Sequence, residues 1–232
     1  MRILKIDWDE EGEFLSRPNR YLAEVKLGDK IELVHVHDPG RLEELLYKGN
    51  KVLIKRAANP NRKTNWDVIA AKKDEEWILI NSAYHRKIGD KLLINNLNQL
   101  GKLDTIRAEV KYKNSRLDYL VTKDNKNIWI EVKGCTLSRD EIAIFPDAPT
   151  KRGVKHLKEL MELKEKGERA GLYIFVLSKA EKFMPNWETD VEFAENFYRA
   201  LKSGVEIYPI QFEYKNSWIV YKKVLEIIKR GV

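Results

Sequence analysis

Residues 116–134 limit most strongly what this chain can become. They read Arg-Leu-Asp-Tyr-Leu-Val, a turn, then Asn-Ile-Trp-Ile-Glu-Val-Lys-Gly. Leu117, Tyr119 and Val121 alternate with Arg116, Asp118 and Leu120, the period of a strand. Ile128, Ile130 and Val132 alternate with Trp129, Glu131 and Lys133 in the same way. Lys123-Asp124-Asn125-Lys126 between them is turn chemistry, so the two arms form a hairpin. Glu131 and Lys133 stand two apart and leave the same face of one strand. Asp118 on the neighbouring strand reaches the same region. Two carboxylates and an ammonium on one hairpin suit a divalent cation and a phosphate. The competing reading is an ion pair on a solvated face, which is worth little. Trp129 and the β-branched neighbours argue against it, because they make the strand look central, where unpaired charge is costly.

Around this hairpin the chain falls into two parts. Residues 2–80 read mostly as short strands, with a helix expected from Pro39 or Gly40 to Tyr47 carrying Leu42, Leu45 and Leu46 on one face. Gly28-Asp29 marks a tight hairpin between two of the strands. Such a segment fits a small barrel or a five- to six-stranded sandwich. Residues 82–100 are a connector with leucines at helical spacing, and Gly89 is expected to break it. From Thr105 the order becomes strand, hairpin, a loop over residues 140–149, a helix over 150–166 and an apolar strand over 171–177. A helix over 191–202, a strand over 206–212 and a basic helix over 218–230 follow. That pattern is an α/β domain with a mixed sheet. The expected domains are residues 1–81 and residues 82–232, the second including the connector.

Composition bounds the function classes. With 43% apolar and 34% charged residues the chain is globular, and its Lys- and Glu-rich surface suits a thermophile. No apolar run approaches the roughly 20 residues of a membrane span, and the amino terminus is too charged for a signal peptide. A single cysteine, Cys135, excludes an internal disulfide and points to a reducing cytoplasm. It reads as a packed thiol, since no partner motif supports a nucleophile. The net charge of +7 lies wholly beyond residue 84, because residues 1–84 hold 15 basic and 15 acidic side chains. A surface for a polyanion is therefore expected on the second part. His35 and His37 share a strand face, but no third zinc ligand lies near them. There is no dinucleotide or Walker loop and no helix-turn-helix signature.

Asp118 followed by Glu131-Val132-Lys133 resembles the PD-(D/E)xK nuclease signature. Arg17-Pro18-Asn19-Arg20, Gly40-Arg41-Leu42, Arg62-Lys63-Thr64, Asp104-Thr105-Ile106-Arg107, Asn114-Ser115-Arg116-Leu117-Asp118 and Glu131-Val132-Lys133-Gly134 come in that order. Phe145-Pro146-Asp147-Ala148-Pro149-Thr150, Arg152-Gly153 and His156-Leu157 follow. Together they resemble the sugar fermentation stimulation protein A family over nearly the whole chain. The resemblance implies an OB-like β-barrel at the N-terminus, a PD-(D/E)xK nuclease-like α/β domain after it, and DNA binding. It also departs from the family pattern at His37-Asp38-Pro39-Gly40, where most members carry a longer loop.

Read this way, Asp118, Glu131 and Lys133 are the catalytic candidates. Asp118 and Glu131 are ligands for Mg²⁺ or Mn²⁺, and the resemblance adds the Val132 carbonyl. Glu109 is a further candidate acid. Nucleic acid, DNA before RNA, is the expected partner. Its contacts are assigned to Arg17, Arg20, Arg41, Arg62, Lys63, Arg116, Arg152 and His156. Trp66 and Tyr21 are candidates to stack bases, though both also read as strand core. The alternative is a non-catalytic DNA-binding regulator of sugar-utilisation genes, which would bind with salt-sensitive affinity and not cut.

Overall fold

The computed structural model describes residues 1–59 and 61–229. Two compact units emerge, residues 1–85 with 212–222, and residues 86–211 with 223–232.

In the first unit the strands are β1 (Arg2–Lys5), β2 (Glu10–Asn19), β3 (Leu22–Leu27), β4 (Lys30–His35), β5 (Lys51–Arg56), β6 (Trp66–Lys73) and β7 (Glu76–Leu79). Antiparallel pairing runs β4-β3-β2-β5-β6, and a parallel contact of β4 with β6 closes the barrel at Val34–Trp66 and His35–Asp67. The inward side chains, among them Phe14, Val25, Val34, Val52, Ile54 and Val68, are buried. Gly28-Asp29 makes the expected two-residue turn, with Gly28 at φ 56°. β2 was not legible as a strand, because it is acidic and holds Pro18. The pairing with β3 shifts register on both sides of Ser16, which lets the proline sit in the strand.

The helix expected up to Tyr47 is a series of turns instead. Leu42 takes φ 53°, which ends any right-handed helix there. Arg17 reaches across and donates to the carbonyls of Arg20, Asp38, Gly40 and Arg41 at 2.6–2.8 Å, fixing the short loop from the side. Leu42, Leu45 and Leu46 are buried all the same. Their hydrophobic spacing was real, and the helix it implied was not.

The second unit opens with α1 (His85–Ile94), after a turn of 3₁₀ helix at Ser82–Tyr84. Gly89 does not break α1. It lies buried under Tyr119, and a methyl group there would stand 2.4 Å from the phenol oxygen. Next come β8 (Thr105–Tyr112), β9 (Ser115–Lys123), β10 (Lys126–Cys135), β11 (Ser138–Arg139), β12 (Ile142–Phe145), α2 (Lys151–Glu165), β13 (Arg169–Val176) and β14 (Lys182–Pro185). α3 (Val191–Lys202), β15 (Glu206–Lys215), β16 (Trp218–Val224) and β17 (Glu226–Ile227) complete the chain. β8, β9 and β10 are antiparallel, whereas β10, β13 and the first half of β15 are parallel, giving the mixed sheet. Leu157, Leu160 and Leu163 of α2 and Phe193 and Phe197 of α3 share one core with Leu172, Ile174 and Val176 of β13. Near-continuous burial along β13 matches its apolar run.

Three further expectations change. The loop over 140–149 contains β12 and a tight turn at Asp140-Glu141, both residues at positive φ. The basic helix over 218–230 is strand as far as Ile227, because β16 pairs with β1 and buries Ile219. Arg230 lies outside the described residues. Residues 212–222, assigned by sequence to the second domain, belong to the first compact unit, where Tyr214 pairs with Trp77.

Gly89→Ala tests the packing of α1. Alanine is the better helix former by about 1 kcal/mol. Here it collides with a phenol held by the Arg86 carbonyl at 2.9 Å and by Asp90 at 3.0 Å. The substitution should therefore destabilise by about 1–3 kcal/mol in urea unfolding. Unchanged or raised stability would show that Tyr119 yields freely.

Candidate metal and phosphate site

The hairpin forms as expected, with Asp124 and Asn125 at φ 51° and 59° in a two-residue turn. Its ladder runs from Lys123–Lys126 to Tyr119–Ile130, and the paired register stops there. One step further lie Asp118 and Glu131. At that step the Asp118 carboxylate, not a strand carbonyl, accepts the Val132 N–H at 2.7 Å. β10 meanwhile continues on its other edge, paired in parallel with β13 through Cys135. The two strands of the hairpin thus lose their mutual ladder just where both acids stand.

Glu131 is 2% exposed, which rules out the solvated ion pair. One of its oxygens, Oε1, binds both the Lys133 ammonium and His156 Nδ1. Lys133 Nζ and His156 Nδ1 are 3.1 Å apart. The other oxygen, Oε2, is buried without a hydrogen-bond partner. Such an atom is rare and costly in a folded protein. Burial pushes the Glu131 carboxyl up, but the hydrogen bond from His156 and the charge of Lys133 outweigh it, so its pKa lies below the usual range. Asp118 goes the other way. Burial first, and then the Glu131 charge, push its carboxyl up to about 6, although the Val132 N–H and Lys133 favour the anion.

Two adjoining carboxylates, one with an orphaned buried oxygen, fit a hard divalent cation. Mg²⁺ and Mn²⁺ are commonly held by one or two carboxylates with water and phosphate completing the shell. Among the described residues no group of three or more His, Cys, Asp or Glu forms a metal cluster, so a closed zinc-type site does not fit.

The other site candidates separate into two groups. Arg20, Lys63, Arg116 and Arg152 are exposed, as is Arg41. Arg17, on β2, is engaged by backbone carbonyls of residues 38–41 and of Arg20, and Arg62 grips Asp67 with two nitrogens at 2.7 and 3.1 Å. That bond, with one from His37, overcomes burial and holds the Asp67 carboxyl down at about 2. Glu109 is exposed and pairs with Arg116 at 3.3 Å, so it does not join the acid pair. Trp66 is core, capped by Arg56 at 4.5 Å, whereas Tyr21 is 49% exposed. His156 corrects its assignment as a nucleic-acid contact. It is 3% exposed and turned to Glu131, which makes it a positioning residue. Its place was readable, since His156 lies on the same helical stripe as Gly153, Leu157 and Leu160.

Comparison with known proteins agrees with this architecture. Residues 15–80 match the family described as the SfsA N-terminal OB domain. Residues 83–218 match the sugar fermentation stimulation protein RE domain. The chain belongs to the sugar fermentation stimulation protein family. A homolog from Thermosipho melanesiensis is 49% identical over 231 residues and is covered, like this chain, in full. One from Methanococcoides burtonii is 44% identical over 97% of this chain and 94% of its own length. The solved structure of Pyrococcus furiosus SfsA in complex with Ca²⁺ superposes with a TM-score of 0.92 at 28% identity, covering 99% of this chain and all of that one. The OB-like barrel and the α/β domain with a mixed sheet, both read from the sequence, are the fold of the chain. Among the described residues no helix is long and apolar enough to cross a membrane.

The raised Asp118 pKa has a consequence for stability. Its unfolded value, 3.8, lies below its folded value of about 6, so the protonated form is favoured by folding. That stabilisation is complete below pH 4 and is lost as pH rises through 6. In metal-free protein at pH 7, Asp118→Asn should therefore stabilise by about 1–3 kcal/mol, and by much less at pH 4. Thermal unfolding in EDTA at both pH values checks this. Equal effects at the two would mean that Asp118 is not held against its charge.

Proposed function

We infer that this protein is a divalent-metal-dependent phosphodiesterase acting on nucleic acid, DNA before RNA. The observation that carries the reading is the buried Glu131 carboxylate, whose second oxygen has no hydrogen-bond partner, together with the Asp118 carboxyl that burial and the Glu131 charge push up. An acid pair held at such electrostatic cost is the mark of a site that awaits a cation. The solved relative from Pyrococcus furiosus was determined with Ca²⁺, a hard cation that takes oxygen ligands.

In this reading Asp118, Glu131 and the Val132 carbonyl hold Mg²⁺ or Mn²⁺. When bound, the ion would neutralise phosphate charge and acidify a water. The chain's own groups do the rest. The Val132 N–H fixes the Asp118 carboxylate. His156 and Lys133 share one Glu131 oxygen, which leaves the other for the cation. Lys133, with its side chain 16% exposed, places a positive charge at the edge of the acid pair, where a phosphate oxygen would arrive. The exposed Arg116 and Arg152 flank the site in sequence and supply sequence-independent attraction for a backbone.

A second reading, binding without cutting, is favoured by the N-terminal barrel, whose family is an OB domain independent of the acid pair. OB barrels bind single strands by stacking and phosphate contacts.

Labelled single- and double-stranded DNA and RNA, incubated with Mg²⁺ or Mn²⁺, separate the two. Cleavage should require the metal and fall by more than about 100-fold in Asp118→Asn and in Lys133→Ala. Binding by all three proteins with no cleavage by any would remove the enzyme and leave the binding module.

A further inference from the structure

A second site lies along α2 on the side turned to the β8–β9 turn. A cavity of about 570 Å³ opens there, lined by Lys113, Asn114, Lys151, Lys155, Lys158 and Glu159, among others. Its volume falls within the range of small-molecule pockets. Glu159 is 7% exposed. Its Oε1 accepts the Ser115 hydroxyl at 2.7 Å and lies 3.8 Å from Lys155 Nζ. Its Oε2 is buried and has no hydrogen-bond partner. None of the chemistry assigned to Asp118 and Glu131 uses this carboxylate.

The lining states what would satisfy it. An unpartnered carboxylate oxygen calls for an N–H or O–H donor. The lining sets four lysines against three glutamates, Glu159, Glu162 and Glu192, and this net positive charge disfavours a bare cation. Lys113 and Lys158 are paired with Glu162 and Glu192, while Lys151 has no ion pair among the described residues. The fitting ligand therefore carries a donor at one end and negative charge at the other. A nucleotide with an amino-bearing base has both. Carboxylate side chains accept from the cytosine amino group, whereas thymine presents a carbonyl oxygen at that position.

The cavity is also placed for a strand. Ser115, which holds Glu159, stands three residues before Asp118 on β9, roughly 10 Å along the strand. The opening and the acid pair thus draw on one strand of the sheet.

We propose that the cavity beside α2 receives one nucleotide of a bound single strand. Glu159 reads an amino group on the base, and the rim lysines, Lys151 foremost, hold its phosphate. The assignment rests on the nucleic-acid reading above and adds a base preference to it.

Fluorescence anisotropy in EDTA tests it with oligo-dC and oligo-dT of about 12 nucleotides, long enough for one OB site. The wild type should bind oligo-dC about tenfold more tightly than oligo-dT, the discrimination expected of one base contact. Glu159→Gln should bind oligo-dT as the wild type does and lose the preference. Lys151→Ala, an exposed change, should weaken both oligonucleotides alike and lower the slope of log affinity against log salt by about one. Equal binding of the two oligonucleotides by the wild type, or a preference that survives Glu159→Gln, would overturn the base-reading pocket and leave nucleic-acid binding standing. Absence of binding to either would overturn both.

Discussion

The hydrogen bond from the Val132 N–H to the Asp118 carboxylate is the contact on which the site depends. It occurs where the β9–β10 ladder has ended and a strand carbonyl is no longer the acceptor. A backbone donor inside a sheet must find a partner, and here the partner is an acid. Strand divergence and carboxylate placement are therefore one event. β10 stays paired in parallel with β13 beyond the point where its ladder with β9 ends, and Glu131 in that stretch is buried.

The charges around that point are deliberately unequal. Glu131 has two cationic or proton-bearing partners on one oxygen and stays ionised despite burial. Asp118 receives one backbone N–H and faces a like charge, so it titrates near neutrality. Two carboxyls forced apart in pKa by their surroundings can accept a cation jointly without both being fully charged beforehand. Holding Asp118 buried beside a like charge lowers the stability of the fold above the pH at which it ionises. His156 belongs to this balance. Buried on α2, it supports Glu131 of β10 through a hydrogen bond to one carboxylate oxygen.

The hairpin, its two-residue turn and the shared face of Glu131 and Lys133 were legible in the sequence because they follow from a period of two and a short polar turn. α2 and α3 were legible too, from apolar stripes and from Thr150 and Asp190 at their caps. Elsewhere local pattern misled. Residues 40–47 carry helically spaced leucines, but Arg17, from another strand, claims the loop carbonyls, and Leu42 turns left-handed. Gly89 looked like a helix breaker, and its lack of a side chain instead admits Tyr119. Residues 218–227 looked like a basic helix, yet β1, more than two hundred residues away in sequence, offered a strand edge.

By itself the sequence determined which residue types stand on the central hairpin, that they alternate, and that the excess positive charge lies beyond residue 84. These are local or additive properties, fixed by strand period and by counting. Only the tertiary structure decided that Glu131 would keep a free buried oxygen, that His156 would face it, and that Arg17 and Arg62 would bind their own chain. It also set Glu159 against Ser115 beside an open cavity. Hydrogen-bond satisfaction is settled among groups brought together from distant segments, and one-dimensional spacing carries no record of which donor arrives first.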